Sequence, residues 1–296
     1  MNENSSAVVT GAGNGIGRGI ALALAERGYR VIAADLVLAE AERVADEIRA
    51  TGGSALPFRC DVTNTGDVEA MADDLIPRYG VPRLVFSNAG VLISGKSVLE
   101  TTKDDLRWIL DVNLLGAWDV ARVFAKAAIE EREDKGEKAP MRIVFTGSEH
   151  SLGYPHPGAA AYTASKHALL AIAEAFRAEL AGQVAVSVFC PGLTQSRIWD
   201  GQRHRAGHAG STSARGSMLI AHGRDALEVG RLVVERAERG DFYIVSHPHA
   251  KAYASRRWSE IEAAFDSLER DHPGIPSYDV EQMAARLQRG SGNESR

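Results

Sequence analysis

Thr10-Gly11-Ala12-Gly13-Asn14-Gly15-Ile16-Gly17 says more about the architecture of this chain than any other segment. It follows the apolar run Ala7–Thr10 and opens a segment of helical period, Gly17–Arg27. Glycines permit a tight turn and let the backbone approach a pyrophosphate, which the partial positive charge of a helix N-terminus favours. A glycine-rich string alone is a weak signal. Set between a strand and a helix, it has the context that a dinucleotide-binding turn requires. Asp35 ends the next apolar run, 18 residues beyond Gly17. A carboxylate there hydrogen-bonds ribose hydroxyls and repels a 2′-phosphate. Leu36 follows it rather than arginine, and Asn14 stands where a basic residue would attract that phosphate. The expected cofactor is therefore NAD rather than NADP.

Outward from this turn, β-rich runs alternate with helix-period segments. Ala7–Thr10, Arg30–Ala34, Leu56–Cys60, Leu84–Ser87, Arg142–Thr146, Val184–Phe189 and Phe242–Val245 read as strands. Most are continuously apolar, as parallel strands covered on both faces are. Helical patterns lie between them, at Gly17–Arg27, Ala39–Ala50, Asp67–Tyr79, Asp104–Ile129 and Tyr162–Ala181. The alternation predicts right-handed crossovers and an α/β, Rossmann-like, doubly wound seven-stranded parallel sheet with helices on both faces. The charged stretch Glu130–Lys138 reads as a solvated loop.

The 296 residues carry a formal charge of −5, with 45% hydrophobic and 25% charged residues. That excludes a disordered or fibrous chain and argues against nucleic acid as the main partner. No apolar run is long enough to span a bilayer, and Met1–Ser6 lacks the pattern of a signal peptide. Cys60 and Cys190 each end an apolar run and read as core residues of a reduced, cytoplasmic protein. The length allows one α/β domain, residues 1–249, and a helical C-terminal extension, residues 250–296, with Gly290–Arg296 frayed. Trp258, Ile261, Phe265 and Leu268 share one helical face of Ala250–Glu269.

A second motif, Tyr162-Thr163-Ala164-Ser165-Lys166, sets a phenol and an ammonium on one helix face. A buried lysine cation beside a phenol favours phenolate, which would lower the tyrosine pKa and make an acid/base usable near neutral pH. Ser148, just beyond the strand Arg142–Thr146, is placed to hydrogen-bond the same substrate oxygen.

Together these residues resemble the short-chain dehydrogenase/reductase family over about Ala7 to Val245. The resemblance rests on the glycine turn, Asp61-Val62, Asn88-Ala89-Gly90, Asn113, Ser148, Tyr162-xxx-Lys166 and Pro191-Gly192. It implies Tyr162 as acid/base, Ser148 as polariser of the substrate oxygen, and Lys166 on the nicotinamide ribose. It implies that Asn113 holds a water joined to Lys166. Gly11, Asn14, Gly15, Ile16 and Gly17 would cradle the pyrophosphate, with Asp35 and Leu36 at the ribose and Asp61 and Val62 at adenine. Asn88, Ala89 and Gly90 would support the cofactor; Pro191, Gly192, Leu193 and Thr194 would face the carboxamide. No metal site is expected. Ser148 and Tyr162 are 14 residues apart, one more than the family's usual interval, and Glu149–Gly158 is expected to absorb the extra residue. Ser151, deeper in that loop, is the rival serine.

The implied reaction interconverts a secondary alcohol and a ketone by hydride transfer, on a small molecule that is bulky, aromatic or lipophilic. Val91–Lys96, Glu149–Pro157 and Leu193–Asp225 are the expected pocket segments, with His150 and Tyr154 either meeting an aromatic or bulky substrate or packing the loop. Gln195–Asp225 reads as a substrate lid, Arg-rich with His204, His208 and His222, and more simply as a solvated flap than as a receptor for an acidic group. The family implies a homo-oligomer, a dimer or tetramer, through Asp104–Ile129 and Tyr162–Ala181. The alternatives are a non-redox relative (epimerase, lyase or dehalogenase) and a dinucleotide-sensing binding protein. The joint presence of Asp35, the glycine turn, Ser148, Tyr162 and Lys166 counts against both.

Overall fold

Valine, isoleucine and phenylalanine dominate the runs that become strands, because branched and aromatic side chains pack well on a pleated surface. The computed structural model describes residues 5–135, 141–154, 156–205, 221–275 and 279–284. Its strands are β1 (Ser6–Thr10), β2 (Arg30–Asp35), β3 (Ser54–Arg59), β4 (Leu84–Ser87), β5 (Arg142–Thr146), β6 (Ala185–Cys190) and β7 (Tyr243–Val245). They form one seven-stranded sheet in the order β3-β2-β1-β4-β5-β6-β7. Every pairing is parallel. The expected architecture is borne out.

The helices are α1 (Gly15–Glu26), α2 (Leu38–Ala50), α3 (Thr65–Tyr79), α4 (Lys103–Leu110), α5 (Gly116–Lys135), α6 (Ala160–Glu179), α7 (Ala226–Arg239) and α8 (Ala250–Asp271). Successive strand residues point to opposite faces, so Val8 and Val9 enter different cores. Val9, Val31 and Phe86 pack with Ile20, Leu24, Val44, Ile48, Val229 and Val233 from α1, α2 and α7. On the other face Val8, Ile32 and Phe145 pack with Val68, Met71, Val120, Phe124, Leu169 and Phe176 from α3, α5 and α6. Cys60 and Cys190 are buried free thiols, and burial pushes both up to about 12.

Two expectations needed correction. Asp104–Ile129 is not one helix: a π turn, Asp111–Leu115, separates α4 from α5 and contains Asn113. Nor is Glu130–Lys138 a loop from its start, because α5 continues to Lys135. Its Glu, Arg and Lys residues are good helix formers, and Lys126 pairs with Glu130 one turn on, at 3.8 Å.

The chain divides into two compact units, Met1–Tyr253 and Ala254–Arg296. In the second, α8 continues to Asp271. The expectations for His208 and for Gly290–Arg296 fall outside the described residues. Among the described residues no helix is long and apolar enough to cross a membrane. Within the first unit, β1 pairs with β2 on one side and β4 on the other, so the order of winding reverses there. A crevice at the C-terminal ends of strands flanking such a reversal is where α/β sheets hold ligands.

Candidate active site

The crevice is a cleft of about 410 Å³. Gly11, Asn14, Ile16 and Gly17 line it at the turn after β1, with Asp35 and Leu36 after β2 and Asp61 and Val62 after β3. Asn88, Ala89 and Gly90 line it after β4, and Tyr162, Lys166 and Pro191 at the far end. Gly15, Asn113, Ser148, Gly192, Leu193 and Thr194 stand outside that lining.

The turn folds closely on itself: a Cβ on Gly17 would lie 2.0 Å from the Gly11 carbonyl oxygen. The first turn of α1 holds no acidic residue, and Asn14 makes no side-chain cap on it. Its N–H groups therefore suit an anion. Asp35 is held in place by that turn, its Oδ2 accepting from Gly13 N–H at 2.9 Å and its Oδ1 from Val37 N–H at 3.0 Å. Asp61 accepts from the N–H and hydroxyl of Thr63 at 3.0 and 2.7 Å. Asn88 ties three strand ends together. Its Nδ2 donates to Thr10 O at 3.0 Å, and its Oδ1 accepts from Thr146 Oγ1 at 3.2 Å. A diphosphate at the glycine turn and a ribose beside Asp35 fit this donor and acceptor set.

At the reacting end Tyr162, Lys166 and Ser148 are all buried. Lys166 Nζ stands 5.7 Å from the Tyr162 ring centre and donates to Thr146 O at 2.7 Å. Burial pulls its ammonium down to about 8. Burial also pushes the Tyr162 phenol up to about 12, and only the hydrogen bond with Ser148 works strongly against it. The sign is opposite to the depression expected from a neighbouring lysine. A lysine that is itself desolvated and turned toward a backbone carbonyl stabilises phenolate less than burial destabilises it.

The two serines have different surroundings. Ser151 Oγ donates to Lys166 O at 2.7 Å and accepts from Ser148 N–H at 3.2 Å, inside the 3-10 turn Glu149–Leu152. Ser148 Oγ accepts from His150 N–H at 3.3 Å and reaches the Tyr162 phenol. Asn113 turns its amide to Val91 and Ser165. Both Nδ2 hydrogens are thus engaged with protein groups, which leaves the second lone pair of Oδ1 and the backbone carbonyl as places for a water.

A family model described as short chain dehydrogenase matches residues 5–207. The chain belongs to the short-chain dehydrogenase/reductase family. It is 33% identical over 261 residues to 1-deoxy-11-beta-hydroxypentalenate dehydrogenase of Streptomyces exfoliatus, covering 88% of this chain and 89% of that one. It is 38% identical over 112 residues to cyclohexanol dehydrogenase of an Acinetobacter species, covering 38% of this chain and 45% of the relative. Its fold matches a short chain dehydrogenase/reductase from Burkholderia phymatum in complex with NAD. That match has a TM-score of 0.78 and 30% identity, and covers 94% of this chain and all of that one (100%).

In this short-chain dehydrogenase/reductase Trp108, which the sequence did not single out, also lines the cleft, together with Arg197, Arg203, His204 and Arg205 from the expected pocket segment Leu193–Asp225. Ser196–Arg205 is not a free flap: Ser196 abuts Gly15, Arg197 N–H donates to Asn14 Oδ1 at 3.1 Å, and the 3-10 turn Ile198–His204 follows directly. The arginines are paired within the protein. Arg197 meets Glu40 and Asp200 at 3.2 and 3.1 Å, Arg203 meets Asp200 at 3.3 Å, and Arg205 meets buried Asp105 at 2.5 Å. Ile198 and Trp199 pack with Leu92 against Tyr162. His150, neutral because burial pulls it down to about 3, sets its ring edge-on to Tyr162 at 5.1 Å between centres. The sequence marked this stretch as a pocket segment and gave no sign of the packing of Ile198 and Trp199 against Tyr162.

Proposed function

We propose that the protein is an NAD-dependent dehydrogenase interconverting a secondary alcohol and a ketone, with Tyr162 as its acid/base. The observation that carries this reading is the buried Tyr162 phenol, hydrogen-bonded by Ser148 and overlooked by Lys166, in the cleft that holds Asp35 at its other end. The dinucleotide, when bound, supplies the hydride acceptor or donor. Tyr162 handles the proton, taking it from the alcohol hydroxyl in oxidation and returning it to the ketone oxygen in reduction. A phenol held near 12 is protonated at neutral pH, so it stands ready as a donor and becomes a base as the pH rises. The Ser148 hydroxyl stabilises the negative charge that builds on the substrate oxygen. Lys166, anchored on Thr146 O, positions ribose and keeps a proton donor beside the ring.

Asp35 favours NAD, because its carboxylate is oriented by Gly13 and Val37 at the ribose end. Arg203 shares the cleft, but Asp200 takes its charge. The substrate class we propose is an apolar, ring-bearing secondary alcohol. Leu92, Ile198 and Trp199 around Tyr162 support it, as do the alcohols named for the two relatives. Homo-oligomerisation through α5 and α6 belongs to the same reading, with Leu115 and Trp118 exposed at the start of that surface.

The test is reduction of NAD by cyclohexanol and larger alicyclic alcohols, followed by NADH absorbance, with wild type and Tyr162→Phe. Wild type is expected to turn over, and the variant to bind NADH without turnover. Near-normal turnover by the variant overturns the acid/base assignment; silence of wild type with every alcohol and ketone overturns the redox reading.

A further inference from the structure

His247 follows β7 and engages three neighbours through one ring. Its Nδ1 accepts from Gly192 N–H at 3.0 Å and lies 2.8 Å from Ser246 Oγ, while its Nε2 lies 2.9 Å from the Leu193 carbonyl oxygen. A backbone N–H only donates and a carbonyl only accepts, so the partners assign the tautomer: Nδ1 is bare and Nε2 carries the proton. The neutral ring thus clamps two consecutive residues of the segment after β6, one by its N–H and the other by its C=O.

That segment is closely packed. A Cβ on Gly192 would lie 2.8 Å from His247 Cγ and 2.9 Å from Glu149 Oε2, so both side chains close on the space beside its Cα. Glu149 N–H donates to Pro191 O at 2.8 Å. Pro191 lines the cleft together with Tyr162 and Lys166, and Glu149 directly follows Ser148. A shift at Gly192 is therefore passed to the cleft wall beside the reacting phenol.

Building on the dinucleotide reading above, we propose that neutral His247 is a positioning residue. It fixes the Pro191–Leu193 backbone against the reacting end of the bound dinucleotide, and protonating it releases that backbone. In the imidazolium form both ring nitrogens donate. Nδ1–H would then confront Gly192 N–H, which loses its acceptor. Three charged or titratable groups face the ring. The Glu149 carboxylate favours the cation; His249, at 5.7 Å between ring centres, and Arg224, which holds Ser246 O at 2.7 Å, oppose it. Burial is the largest influence and holds His247 below the usual imidazole range. The ring is neutral at physiological pH, and the effect belongs to solution more acidic than the ordinary imidazole value.

The experiment titrates NADH binding, by nucleotide fluorescence, to the full-length protein from about pH 7.5 down to about pH 4.5, well below the ordinary imidazole value. Wild type, His247→Asn, His247→Gln and His249→Asn are compared, each checked for a native thermal transition at both ends. Asparagine keeps an acceptor for Gly192 N–H and glutamine a donor for Leu193 O, and neither titrates. Wild type and H249N are expected to weaken several-fold to about ten-fold on acidification, the effect of one buried hydrogen bond. H247N and H247Q are expected to show one affinity throughout. A role in mere packing predicts weaker binding for the variants at every pH with the acid weakening intact. Acid weakening that persists in a folded H247N or H247Q overturns the proposal, as does a wild type that binds equally at both ends. Failure of wild type to bind NADH at the upper pH overturns the dinucleotide reading and this inference with it.

Discussion

Asn113 grips Val91 by both backbone groups, its Oδ1 accepting from Val91 N–H at 2.8 Å and its Nδ2 donating to Val91 O at 3.0 Å. The same Nδ2 meets Ser165 Oγ, at 3.0 Å, on the helix that carries Tyr162 and Lys166. The π turn Asp111–Leu115 sets this side chain in place, and Asn113 is almost wholly buried. π turns inside α-helices often mark functional sites. Asn113→Ala strands the N–H and C=O of Val91 without water to replace their partner. It is expected to lower unfolding free energy by roughly 2–3 kcal/mol in urea titrations and to lower kcat as well.

Ser148 and Ser151 separate by experiment because their partners differ. Ser148→Ala removes the hydroxyl that meets the Tyr162 phenol, and kcat is expected to fall roughly 100-fold with little change in unfolding midpoint. Ser151→Ala removes the donor to Lys166 O and the acceptor for Ser148 N–H. Its expected effect is about 1–3 kcal/mol of stability, with a much smaller change in kcat. Steady-state kinetics beside denaturation curves for both variants decide it; the reverse pattern would make Ser151 the acting serine.

How much of this was legible follows from where the information lies. The glycine turn, Asp35 and the Tyr162–Lys166 pair are short-range patterns, and their spacing survives folding unchanged. The sheet was legible because continuous apolar runs have few other solutions. The break at Asn113 was not, since one wider turn leaves the apolar periodicity of residues 104–129 almost intact. Nor was the contact of Ile198 and Trp199 with Tyr162, because a Gly- and Ser-rich stretch has no periodicity from which to read a packing direction. His247 was silent for another reason. Two of its partners are backbone groups of Gly192 and Leu193, which any sequence would supply.

Asp35 gives the cofactor preference a direct test. Asp35→Asn retains an oxygen for Gly13 or Val37 N–H and removes the charge that opposes a 2′-phosphate. The ratio of kcat/KM for NAD to that for NADP is expected to fall by about tenfold or more, chiefly through a lower KM for NADP. An unchanged ratio would show that Asp35 does not select the cofactor.

His150 makes acid stability a measurable consequence of burial beside Tyr162. Its Nδ1 lies 2.7 Å from Thr163 Oγ1, and burial, with the opposing charges of His156, His167 and Lys166, holds its pKa at about 3 against an ordinary 6.5. Between these values the unfolded chain binds a proton that the native ring refuses. The unfolded state therefore holds more protons, stability rises with pH across the window, and acidification from about 6.5 removes it. The slope from this one group approaches about 1.4 kcal/mol per pH unit once the unfolded ring is fully protonated. His150→Asn does not titrate, while carboxylates elsewhere act equally on both proteins. Urea unfolding between about pH 6.5 and about pH 4.5 should show wild type losing stability more steeply than the variant. Parallel curves would mean that His150 takes up its proton in the folded protein, and that the wall beside Tyr162 admits a charge.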